Sequence, residues 1–388
     1  MLLIRNRALL TLFLAQALYW SCSLIGITLT ALIGLQLSPY NALATLPLAL
    51  LVLGNLLATH PLSLFMQRHG RRPGLTLGAA AGILGGLTSA LGVWLGDFIL
   101  FCLGALATGV YQASAAYYRF AALETVDDAY KGRAAAWVIA GGICAALIAP
   151  SLTLWARNAL STPFVGAYVL LAGLALLGLA LLSTLRVGTI TVAPRGDMRS
   201  LLARPAIRAA LVVTAVGNGL MILVMNATPL AMSFCGLPLE SAAGVIQWHV
   251  LGMFLPALIA GPLVDRLGSR PVALLGIATL GGSALVGLSG QSQAFFLVSS
   301  LLLGIGWNLM LIAGTTLLAS AHQPDERGKA QGLMELTNSG VAACAAFASG
   351  ALITGLGWAQ INLAMLPLLA IALIALLARP ATRAAAAG

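Results

Sequence analysis

Charge is what this chain has least of. Only 8% of its 388 residues are Asp, Glu, Lys or Arg, where a soluble domain carries about a quarter, so a water-facing globule is excluded. Acids are scarcer still: ten, against twenty Lys and Arg. The five cysteines (Cys22, Cys102, Cys144, Cys235, Cys344) are odd in number, scattered and without CxxC spacing, which argues against a disulfide framework and a zinc site. No Walker loop occurs, so ATP hydrolysis in this chain is not the energy source. No catalytic constellation appears either, and neither enzymatic activity nor a cofactor is expected.

What the chain has instead is apolar length. It is 60% hydrophobic, and runs of about twenty apolar residues, enough to cross a bilayer as helices, follow one another to the end. The runs predict an all-α membrane protein with twelve transmembrane helices. The spans fall at roughly 8–36, 41–64, 73–95, 98–121, 133–156, 163–185, 207–233, 239–264, 271–290, 294–320, 331–355 and 358–378. Arg5-Asn6-Arg7 before the first run imitates a signal peptide, but the run outlasts an h-region and reads as an uncleaved helix. The 43 glycines fit close helix packing.

The net charge of +10 points to topology and not to nucleic acid. With both termini cytoplasmic, 18 of the 20 Lys and Arg fall at inner loops, tails or inner helix ends, as positive residues do. Arg157 stands outside, and Arg119, near the inner end of span 4, is expected to snorkel to the interface. The least hydrophobic connection, residues 187–203, is read as a cytoplasmic linker between halves 1–186 and 204–388. The halves repeat: Arg68-His69-Gly70-Arg71-Arg72 recurs as Arg266-Leu267-Gly268-Ser269-Arg270, and Lys131-Gly132-Arg133-Ala134 as Arg327-Gly328-Lys329-Ala330. Two pseudo-symmetric six-helix halves with a site between them are a common transporter plan.

One constellation carries chemistry. Met221 and Met225 in span 7, and His249 and Met253 in span 8, are each spaced i,i+4 and so share a helix face. Thioether and imidazole are ligands that suit copper. At 1.5 Å per residue the pairs match in depth to about 5 Å, near the bilayer midplane. Two readings of His249 stand: metal ligation, or packing and proton coupling, since an intramembrane ionisable group is a functional candidate. Met232 and Cys235 continue the same stripe, as an outer capture path or as a packing seam. Met310, beside Trp307 and Asn308, and Met334, near Glu335 and Asn338, reach toward a central cavity or simply pack. Gln16, Tyr19, Tyr111 and Gln112 are candidates for the opposite wall. Glu335 is either a proton carrier or a solvated acid near the end of span 11.

The run Gly261-Pro262-Leu263-Val264-Asp265-Arg266-Leu267-Gly268-Ser269-Arg270 resembles the signature loop of the major facilitator superfamily. In the first half Ser63 replaces the glycine and Gln67 the acid, while Arg68, Gly70, Arg71 and Arg72 remain. The resemblance implies the twelve-helix fold and a gating role for Gly261, Asp265, Arg266, Gly268, Arg270, Arg68, Gly70 and Arg71 at the inner gate, with charge pairing lost from the first copy. Within that superfamily, the MxxxM and HxxxM pairs are similar to those of the CcoA-like bacterial copper importers. That likeness implies import of a copper ion through the bacterial inner membrane by alternating access. Its implied partners are the lipid bilayer and copper chaperones or oxidase assembly factors. The alternatives are a proton-coupled transporter of a small organic solute or drug, with His249, Glu335 or Arg119 coupling protons, and a copper sensor that does not transport.

Overall fold

The protein is seen in a computed structural model that describes residues 6–40, 43, 45–187 and 197–378. Among them are twelve helices long and apolar enough to cross a membrane. They are α1 (Arg7–Leu37), α2 (Leu46–His69), α3 (Arg71–Leu95), α4 (Phe98–Ala115, resumed over Tyr118–Leu123), α5 (Lys131–Arg157) and α6 (Val165–Ser183), followed by a second set. That set is α7 (Pro205–Phe234), α8 (Leu239–Phe254, resumed over Ala257–Leu267), α9 (Ser269–Ser289), α10 (Gln293–Ala319), α11 (Arg327–Gly355) and α12 (Trp358–Leu377). The expected spans hold to within a few residues, apart from breaks inside α4 and α8. In α8 the interruption falls at Pro256, whose ring removes a backbone donor and crowds the preceding turn. Of the expected linker, 188–196 lie outside the described residues; the remainder carries a short helix, Met198–Ala203.

Local chemistry explains the helix ends. Asn6 caps α1 by accepting from the Leu9 amide at 3.1 Å. Asp97 caps α4 by accepting from Ile99 and Leu100 at 2.8 and 3.0 Å, after Gly96 has turned the chain left-handed. The tight α2–α3 and α8–α9 turns pivot on Gly70 (φ 94°) and Gly268 (φ 84°), backbone that side chains strongly disfavour. Here the repeated signature loops show their shared physical reason.

Packing repeats along with sequence. In the first half α3 lies on α4, α2 on α4, α1 on α5 and α3 on α6; in the second, α9 lies on α10, α8 on α10, α7 on α11 and α9 on α12. Water drives none of this inside a bilayer, so close approach and hydrogen bonds hold the seams. A Cβ added at Gly304 would stand 2.6 Å from the His249 carbonyl oxygen, so only glycine lets α10 come this close to α8. The halves meet along α2–α11 and α5–α8, with α5 also touching α10.

Candidate functional site: a layered seam between the halves

The seam is built in three layers, counted from the end where α1 and the other odd helices begin, here the basic end. The first layer is a pair of latches. Asp265, at the end of α8, accepts from the Gly132 amide at 2.7 Å and the Arg133 amide at 3.2 Å, capping the start of α5. Its carboxylate also pairs with Arg133 Nε at 2.9 Å. Gln67 does the same for α11 without charge. Its Oε1 accepts from the Gly328 amide at 2.8 Å, and its Nε2 donates to the Asp325 carbonyl at 2.6 Å. Ser63 adds a bond to the Gly328 carbonyl at 2.7 Å. The first copy of the loop has therefore lost its acid but kept its grip.

The charge missing from that copy is found beside it. Arg71, only 2% exposed, donates to Glu124 Oε1 at 2.6 Å from Nη2 and 3.0 Å from Nε. It also reaches Gln331 Oε1 of α11 at 2.5 Å. Arg327 of α11 meets the same Glu124 oxygen at 3.1 Å. Arg270, in the second copy, instead donates to the Leu376 carbonyl at the end of α12, 2.7 Å away. Arg68 and Arg266 are exposed. At the membrane edge Arg204 grips Glu326 through two bonds of 2.6 Å; these bonds hold the Glu326 carboxyl below the usual carboxylate range, against its desolvation.

The second layer is an ion pair that crosses the seam deeper in. Arg119 Nη2 of α4 donates to Glu335 Oε1 of α11, and Arg119 Nε donates to Thr315 Oγ1 of α10 at 3.1 Å. The two charged side chains are 11% and 7% exposed. Arg119 therefore does not snorkel: its cation turns inward because a carboxylate of the other half waits there. Glu335 is not a solvated acid either. It lies eight residues into α11, about 12 Å from the basic end.

The third layer lies about 16–20 Å in, at mid-membrane by the same count. From the first half come Tyr19 and Trp20 of α1, with Tyr111 of α4 edge-on to Tyr19 at 5.3 Å. From the second comes Phe254 of α8, which meets Trp20 across the seam at 5.0 Å and 65°. Within the second half, Trp307 donates to Asn218 Oδ1 at 3.1 Å, and Asn218 donates to the Asn338 carbonyl at 3.1 Å. Asn338 is buried and its Oδ1 has no partner. Aromatic faces and a free amide acceptor at one depth suit a flat solute with both apolar faces and polar edges.

The four sequence-derived metal residues lie on α7 and α8, helices that pack chiefly on other neighbours. His249 is 1% exposed, and its Nδ1 bonds the Ser300 carbonyl of α10 at 2.8 Å. A carbonyl only accepts, so that nitrogen carries the proton and the ring is held in the α8–α10 packing seam. Asn308 of α10 donates to the Met253 carbonyl at 2.7 Å, tying the next turn of α8 to the same neighbour. Met221 is buried in α7 and Met225 half-buried, while α7 packs chiefly on α10, α11 and α12. Met232 is buried too; Cys235 is exposed, its Sγ donating to Gln291 Oε1 at 3.1 Å. Met310 fills the approach of α10 to Gly217 of α7 and Gly276 of α9.

Comparison with known proteins identifies the family. The sequence profile described as Major Facilitator Superfamily matches residues 245–388. The riboflavin transporter RfnT of Brucella anthropi is 37% identical over 99% of this chain and 98% of its own. A bacterial homologue of the iron transporter ferroportin, in an outward-facing state, superposes with a TM-score of 0.78 at 15% identity, over 96% of this chain and 98% of that one. The transporter FucP, in its outward conformation, gives 0.78 at 14% identity, over 96% and 99%; at these identities both show the fold alone. The chain belongs to the Major Facilitator Superfamily.

The same comparison overturns copper import. A near full-length relative is a riboflavin transporter, not a CcoA-like importer, so copper import falls and the metal-binding expectation is left without support. The copper chaperones and oxidase assembly factors were implied by that likeness alone. The error has a physical source. An i,i+4 pair of methionines arises readily where Met fills gaps between helices, and spacing along one helix does not say which neighbour its face meets. Sequence reasoning also missed Glu124, Arg327 and Gln331 at the latch, and the Asn218–Trp307 bond. The scarcity of acids was the available signal for Glu124: with ten in the chain, any acid at a span end merits a partner search.

Proposed function

We propose that this protein is a secondary transporter of a small organic solute, a flat heteroaromatic of the riboflavin type, in a bacterial cytoplasmic membrane. The observation that carries the reading is the 37% identity to a riboflavin transporter along nearly the whole of both chains. The mid-membrane layer supports it in kind. Tyr19, Trp20, Phe254 and Trp307 offer ring faces, and Asn338 offers an acceptor for an imide N–H. With the basic end cytoplasmic, the latches close the inner side, and the described cross-half hydrogen bonds all lie on that side of the aromatic layer. That is the arrangement of a carrier open outward, which then rocks about the central layer.

Growth decides it. A bacterial strain unable to make riboflavin, and lacking its own carrier, should grow on low external riboflavin when it expresses this chain and fail without it. Normal protein level in the membrane with no rescue and no uptake of labelled riboflavin would overturn the reading.

A further inference from the structure

Three ion pairs join the halves among the described residues: Arg133–Asp265, Arg327–Glu124 and Arg119–Glu335. Their fates differ when the halves part. Arg133 is 34% exposed and Asp265 only 4%, but both stand at the end of the bundle, where water replaces a lost partner once the halves part. Glu124 keeps Arg71 of its own half when Arg327 leaves. Glu335 has no second ion-pair partner among the described residues, and Arg119 loses Thr315 of the second half together with Glu335. This pair lies about 12 Å inside, where an uncompensated charge is costly.

We propose that Glu335 is the proton-coupling group of this transporter, loading one proton as it loses Arg119. The step balances simply. The carboxylate accepts one proton delivered from the side opposite the basic end and becomes a neutral acid, so only the Arg119 cation remains to be hydrated as the basic end opens. Return of the proton on the basic side restores the carboxylate and lets the pair re-form. A metal cation is a poor substitute, since the guanidinium occupies the carboxylate and no cluster of three His, Cys, Asp or Glu stands among the described residues.

The groups facing Glu335 from each neighbour fit this assignment. From α4 come Arg119 and Tyr117; α3 brings Arg71, through Gln331 one turn away. Helix α2 brings His60, whose Nδ1 has no partner and lies beside Gly332. Asn338 of α11 itself bonds the Glu335 side chain and is tied through its carbonyl to Asn218 of α7; from α10 comes Thr315, which accepts from Arg119; all three are neutral. His249 differs from Glu335 in that its Nδ1 bond, to the Ser300 carbonyl, lies within one half and does not break when the halves part. His60 is the rival.

The proposal rests on the solute-transport reading, and a solute-free arm separates the two. In a cysteine-free background with Ser63→Cys, buried in the α2–α11 seam, labelling of that thiol reports opening of the basic end. Acidification should raise labelling in the chain carrying Glu335 and leave it unchanged in Glu335→Gln; pH-independent labelling in both, or an equal acid response in both, overturns the proposal. In liposomes, labelled riboflavin should exchange without a gradient, and one unit of pH gradient should sustain up to about tenfold accumulation. Glu335→Gln should lose the accumulation and retain measurable exchange, and His60→Gln should retain both. Exchange that ignores the pH gradient, or accumulation lost only in His60→Gln, sinks the coupling assignment. Absence of exchange alongside acid-driven labelling removes riboflavin as solute and leaves the proton site standing.

Discussion

The α5–α8 seam ends in a carboxylate and the α2–α11 seam in a carboxamide, although one duplication relates them. Asp265 caps α5 with a full charge, favourable at a helix N-terminus, and recruits Arg133. Gln67 caps α11 with a neutral acceptor and spends its amide donor on the Asp325 carbonyl. The surroundings explain the exchange. Gln67 is buried, and an acid there would face the Asp325 carbonyl oxygen at hydrogen-bond distance. The charge work passes to Glu124, one shell away, which neutralises Arg71 and Arg327 together. A gate keeps its geometry when the charge moves, provided every buried donor and acceptor still finds a partner.

The comparison breaks hardest at Glu124. Glu124→Gln strips two guanidinium groups of their shared anion, one of them almost wholly buried. A loss of about 3–5 kcal/mol is expected, read as a large fall in thermal stability of the purified protein. If stability changes by less than a tenth of that, the charges have another sink.

Asp265→Asn should come next. It keeps one cap acceptor but removes the charge and the Arg133 pair, a change of about 1.5–3 kcal/mol in the closed gate. Transport should slow markedly while solute affinity measured in detergent stays near that of the parent; lost affinity with normal turnover would contradict a gate role.

Smaller effects follow at Gln67. Gln67→Leu removes two neutral bonds, about 1–3 kcal/mol because buried partners are left unmade. Gln67→Glu sharpens the contrast. As a carboxylate it opposes the Asp325 carbonyl, and as a protonated acid it donates to it. Gate closure in this variant should therefore weaken at neutral pH and recover on acidification, measured by transport rate against pH. Equal rates at all pH values would show that the seam tolerates charge.

The smallest effect belongs to Arg204–Glu326. Arg204 is 37% exposed, so solvent screening leaves less than about 1 kcal/mol. Because the Glu326 carboxyl is held below its ordinary value, this increment is present above the unfolded carboxylate range, about 4.3. It is lost as pH falls through the folded value. A wild-type melting curve should lose that increment only in acid, and Glu326→Gln should lack it throughout.

Sequence alone determined the twelve helices, their internal repeat and the two glycine turns, between α2 and α3 and between α8 and α9. Each follows from local rules: apolar length, repeated spacing, and glycine where backbone must turn left-handed. It also marked Glu335 and Arg119 as unusual, since a charge inside an apolar run stands out without any structure. Tertiary structure decided what those charges meet. Gln67 looked like erosion until the Gly328 amide stood opposite it. His249 and its methionines shared helix faces by spacing alone; the structure adds that the imidazole Nδ1 bonds the Ser300 carbonyl of α10. Periodicity gives a side chain's direction about its own helix axis; the partner across the gap is set by how twelve helices pack, and no single helix carries that information.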